Sequence, residues 1–125
     1  MNLGNLKLII ITIFIYSLFS YSLQSEPIEG NLVEIHILDK ISAKVTNLKI
    51  QVNSSLNFES LNIKIYACYT TPPDEIPEDF VLLKIYDKME KNNNQLIYQG
   101  WMISSSPAAT PLEHPIYDLW LQDCK

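Results

Sequence analysis

From Leu61 to Tyr69 (LNIKIYACY) apolar side chains fall on every second residue. Successive side chains of an extended backbone point to opposite faces, so this period belongs to a strand buried on one side. It places Leu61, Ile63, Ile65, Ala67 and Tyr69 on one face and Asn62, Lys64, Tyr66 and Cys68 on the other. A strand of this kind needs neighbours and a second layer to cover its apolar face, which commits the chain to a sheet architecture.

The same period recurs on both sides of it. Val33 to Ile37 alternates, Leu38-Asp39-Lys40 interrupts, and Ile41, Ala43 and Val45 resume. Thr46-Asn47 breaks the pattern again before Leu48, Ile50 and Val52, unless Ile41 to Val52 is one long bent strand. Asn53-Ser54-Ser55 is a turn cluster. Thr71 to Asp79 (TPPDEIPED) carries three prolines and four acids, and proline cannot donate to a ladder, so this segment is a loop. Phe80 to Asp87 and Gln95 to Ile103 read as hairpin strands around a tip at Lys91 to Asn94, with Gly100 as a bulge before Trp101. Ser104 to Pro115 is irregular, and Ile116 to Leu121 is a last short strand. Six to eight short strands joined by turn-rich connections predict an all-β fold, a small antiparallel sandwich or barrel-like domain.

The first twenty-two residues differ. Lys7 is their only charged side chain, and Leu8 to Phe19 is an apolar run of signal-peptide length, followed by small residues at Ser20 and Ser22. The sequence therefore divides into a signal peptide at 1–22, a mobile segment at 23–31 and one β-rich domain at 32–125. Cleavage is expected after Ser22, with Ser25 as the alternative, leaving no integral membrane span. The competing reading is an inner-membrane anchor formed by an uncleaved leader. Export places Cys68 and Cys124 in an oxidising compartment, where a pair is expected to bridge. The closed loop of about 57 residues is worth about 4 kcal/mol in the chain-entropy model.

Net charge is −5, and the leader's one lysine makes the remainder one unit more negative. There is no arginine. A phosphate-backbone binder needs clustered cations, so nucleic acid is not an expected partner. No cofactor is implied. The two histidines, His36 and His114, are distant, and with the cysteines bridged they fall short of a zinc set. Asp74, Glu75, Glu78 and Asp79 match no calcium loop and read as a solvated acidic stretch. No metal site is expected.

Three stretches stand out together: Leu38 to Ser42; Ala67-Cys68-Tyr69 with Pro72-Pro73; and Gly100-Trp101-Met102, Ser104 to Pro107, Glu113 to Trp120 and Cys124. The combination resembles the domain-of-unknown-function family 2155, small exported proteins of alphaproteobacteria, over roughly Val33 to Cys124. Where that family is usually basic, this chain has mostly lysine or neutral residues. The resemblance implies a periplasmic address in a Gram-negative cell and brings no reaction with it.

The densest polar and aromatic segment is Gly100 to Asp118. The expected binding surface is Trp101, Ser105, Glu113, His114, Tyr117, Asp118 and Trp120. No catalytic residue is assigned. The alternative is a small envelope hydrolase using His114 with Ser104, Ser105 or Ser106, although the Gly-x-Ser-x-Gly elbow is missing. Most of the aromatic rings belong in a core; several on one exposed sheet face would form a binding platform. The expected function is a non-catalytic binding or accessory module whose partner is an envelope protein.

Overall fold

The computed structural model describes residues 3–18, 25–90 and 93–125. The expected cleavage stretch Ser20 to Ser22 lies outside the described residues, as do Lys91 and Asn92 of the expected hairpin tip. Among the described residues the order is α1 (Leu3–Leu18), β1 (Ile28–Glu29), β2 (Leu32–Asp39), β3 (Lys44–Gln51), β4 (Ser55–Phe58), β5 (Leu61–Thr70), β6 (Asp79–Glu90), β7 (Asn93–Ile103), a 3-10 turn (Pro107–Ala109) and β8 (Tyr117–Cys124).

Strands β1, β5, β6 and β7 follow one another in the larger sheet, and β4 joins β5 on the same side as β1. The smaller sheet runs β3-β2-β8, and every pairing in both sheets is antiparallel. The core is made from both inner faces: Val33, Ile35 and Ile37 of β2, Leu61, Ile63 and Ile65 of β5, Val81, Leu83 and Ile85 of β6, and Leu119 and Leu121 of β8 are all buried. The expected antiparallel sandwich with one disulfide is the observed architecture.

The bridge joins Cys68 of β5 to Cys124 of β8, one from each sheet, with their Cα atoms 5.9 Å apart. Gly30 lies against it. Its amide donates to Cys68 O at 2.9 Å, and Leu32 and Lys125 exchange two backbone hydrogen bonds of 2.8 Å beside it. A Cβ on Gly30 would stand 2.6 Å from Cys124 Sγ and 2.9 Å from Lys125 O, so only glycine fits. The end of the segment read as mobile is thus tied down, with Ile28 and Glu29 paired to Thr70 and Tyr69.

Three local readings change. Lys44 to Gln51 is one unbroken strand in which Thr46, Leu48 and Ile50 face inward, while Ile41 and Ala43 belong to the preceding turn. The Asp39 carboxylate makes that turn by accepting the amides of Ile41 and Ser42, and Ala43 sits in the left-handed region at φ 56°. Ser55–Phe58 is a strand that turn chemistry concealed, since it has only four residues. The bulge of β7 lies at Ile97, skipped between the pairs Ile85–Tyr98 and Tyr86–Leu96; Gly100 is in register opposite Leu83.

In α1 the side chains from Gly4 to Tyr16 are exposed. No helix among the described residues is long and apolar enough to cross a membrane.

Candidate functional site

Strand β5 carries the irregularity that builds the site. Ile65 pairs with Leu83 and Ala67 with Leu82, so Tyr66 is an extra residue. One inserted residue reverses the facing of everything after it. Cys68 is therefore buried in the core, and Tyr69 is turned outward, opposite to the face the simple alternation gave it. There it meets Trp101 of β7, ring centroids 5.9 Å apart. Pro27, Tyr69, Phe80 and Trp101 together line an open concavity of about 210 Å³ on the outer face of the larger sheet. Phe80 is placed there by its pairing with Tyr69, and Trp101 by its pairing with Leu82. Trp101 is 42% exposed, unusual for the largest apolar side chain.

Further along the strands the same face becomes basic. Lys64 of β5 and Lys84 of β6 are direct cross-strand partners, and their ammonium groups lie 5.1 and 5.6 Å from the centre of the Tyr66 ring. Lys88 follows on β6, its Nζ donating to Asn57 Oδ1 at 2.9 Å. From Asn62 to Tyr69 on β5 and from Phe80 to Lys88 on β6, the outward positions hold no carboxylate.

The seven residues expected to form one surface occupy separate places. Trp101 belongs to the aromatic face just described. Ser105 is bound to Glu78: its amide donates to Oε1 at 2.9 Å and its hydroxyl to Oε2, while Ser104 Oγ donates to Oε1 at 2.9 Å. Burial pushes the Glu78 carboxyl up, but the bonds from Ser105, Ser104 and the Asp79 amide outweigh it and the net shift is downward. Glu113 is exposed. Asp118 pairs with Lys40 at 3.0 Å. Trp120 meets His36 edge-on, ring centroids 5.7 Å apart, on the outer side of the smaller sheet. Asp118 and Trp120 share a second concavity of about 260 Å³ with Pro107, Pro111 and Leu112.

His114 and Tyr117 are buried and stacked, centroids 5.2 Å apart. His114 Nδ1 accepts from the amides of Ile116 at 3.2 Å and Tyr117 at 3.1 Å. The proton therefore sits on Nε2, which donates to Asp87 Oδ2 at 3.0 Å. Burial first, then the charges of Glu59, Asp39 and Asp87, push the Tyr117 hydroxyl up. Both nitrogens of His114 are spent on the fold, and none is left to take a proton from a serine. Ser104 and Ser105 are likewise spent on Glu78. No group of three or more metal-ligating side chains occurs among the described residues.

Sequence reasoning missed Pro27 and Phe80 and turned Tyr69 inward. The available signal was the break at Tyr66-Ala67-Cys68, where strict alternation would leave a cysteine facing solvent beside a lysine.

The model of a family described as "Uncharacterized protein conserved in bacteria (DUF2155)" matches residues 33–124. "Uncharacterized protein RP359" of Rickettsia prowazekii (strain Madrid E), an alphaproteobacterium, is 29% identical over 91 residues, 73% of this chain. The chain spans 59% of that relative's length. No solved structure matches.

Proposed function

We propose that this chain, which belongs to the DUF2155 family of uncharacterised proteins conserved in bacteria, is an exported, periplasmic, non-catalytic module that binds an envelope protein through the outer face of its larger sheet. The observation that carries the reading is the uncovered cluster of Tyr69, Phe80 and Trp101 with Pro27. Trp and Tyr dominate binding hot spots because they bury large area with few rotors. Leaving them exposed costs free energy that a partner recovers. Export is supported by the charged start and apolar run before residue 23, and by a core disulfide of the kind that persists in oxidising compartments. Against catalysis stands the commitment of His114, Ser104 and Ser105 to structural bonds.

Competition binding tests the reading. A Phe80→Ala, Trp101→Ala variant, shown folded by circular dichroism, is expected to lose competition with the wild-type protein for envelope extract proteins. A variant that competes equally well overturns the assignment of this face. Subcellular fractionation tests the address, the expected result being recovery in the periplasmic fraction with no free thiol.

A further inference from the structure

The outer face of the larger sheet is polarised along its strands. At one end lies the acidic loop after β5, with Asp74, Glu75 and Ile76 exposed, Ile76 to 87%. Glu29 adds a carboxylate in the aromatic row itself, paired with Tyr69. In the middle and at the far end lie Lys64, Lys84 and Lys88, in a chain of net charge −5. Lys64 and Lys84 are like charges directly opposite one another, which destabilises a sheet unless an anion is shared between them. Neither forms an ion pair among the described residues. Among the described residues the surface thus presents lysines without an ion pair at one end and carboxylates with an exposed isoleucine at the other.

A two-fold axis lying in the plane of the face, perpendicular to the strands, exchanges those ends. Two copies packed in this way lay carboxylates over lysines twice, and aromatic side chains over aromatic side chains between. That is the self-complementarity an isologous dimer requires. We propose that this face is the self-association surface of the protein, its occupant being a second copy with Asp74 and Glu75 set over Lys64 and Lys84. The proposal rests on the reading that this face is the docking surface. Four strands about 4.8 Å apart and about eight residues of about 3.3 Å rise give about 500 Å² per copy. The total of about 1,000 Å² is near the lower limit for a specific interface, so the dimer is weak and concentration-dependent.

Sedimentation velocity of the protein as isolated from cells, over about 1–300 µM, is the test, since small interfaces give micromolar affinities. The expected result is a monomer–dimer equilibrium that weakens with salt. Reversing one end (Lys64→Glu, Lys84→Glu) or the other (Asp74→Lys, Glu75→Lys) is expected to weaken self-association at least about tenfold. An equimolar mixture of the two variants is expected to dimerise more tightly than either variant alone, because both of its charge clusters pair opposite charges, one of them in reversed sense, and the aromatic centre is unchanged. A dimer indifferent to both reversals overturns the proposal. So does a protein monomeric throughout the range; if the Phe80→Ala, Trp101→Ala variant of that monomer still loses its envelope partner, the docking face stands and only its occupant is wrong.

Discussion

Replacing His114 separates a structural histidine from a chemical one, and the structure sets the expected order of its variants. The ring gives two backbone amides their acceptor through Nδ1, donates to Asp87 through Nε2, and stacks on Tyr117. His114→Ala removes all three. Two amides lose their partner in a buried site, at about 1–3 kcal/mol each when no water replaces it, and the lost ring contact adds about 0.5–1.5 kcal/mol. The expected cost is about 3–7 kcal/mol, a large share of the roughly 5–15 kcal/mol that a domain has in total. His114→Asn keeps an acceptor where Nδ1 stands and loses only the Asp87 bond and the ring, for about 1–2 kcal/mol. His114→Gln reaches toward Asp87 but gives up the amide acceptor, and falls between the two. Urea unfolding at constant m-value gives the ranking directly. An Ala variant within about 0.5 kcal/mol of wild type, the range of ordinary surface substitutions, or an Asn variant as unstable as Ala, refutes the amide-anchoring role.

Other perturbations follow from the same geometry. The Cys68→Ala, Cys124→Ala variant is expected to lose about 4 kcal/mol in denaturant unfolding, the chain-entropy value for its loop. Gly30→Ala is expected to cost about 1–3 kcal/mol by overpacking against Cys124 Sγ, and less in the cysteine-free background, so the two changes will not add. Ala43→Gly relieves a left-handed alanine and should stabilise the protein by about 0.5–1 kcal/mol, read as a raised melting temperature. The folded-state depression of the Glu78 carboxyl contributes stability above its unfolded value of 4.5 and loses it as pH falls through the lower folded value. The melting-temperature gap between wild type and Glu78→Gln should accordingly be widest near neutral pH and narrow as pH falls below 4.5 toward the lower folded value.

Strands with an uninterrupted period of two were legible in the sequence because burial of one face imposes that period directly; Val33 to Ile37 and Leu61 to Ile65 are examples. The bridge was legible because two cysteines allow one intramolecular pairing. Features set by a single inserted residue were not. Tyr66 reverses the facing of Cys68 and Tyr69, and the one sign of it in the sequence is the cysteine that strict alternation leaves on the polar face. Val45 sits on the solvent side, 51% exposed, because the left-handed turn at Ala43 shifts the phase of β3. The expected binding segment dispersed for a topological reason. Trp101 ends the outer strand of one sheet, His114 closes the loop back across the core, and Trp120 faces outward from the other sheet, so nearness in sequence did not become nearness in space.

Site-specific photocrosslinking in intact cells measures the central claim most directly. A benzophenone amino acid at Leu82, on the outer aromatic face, is compared with one at Val45, on the outer face of the smaller sheet. Discrete protein adducts from position 82 and none from position 45 are the expected result. Adducts at position 45 alone, or at neither position, would contradict a docking role for the larger sheet.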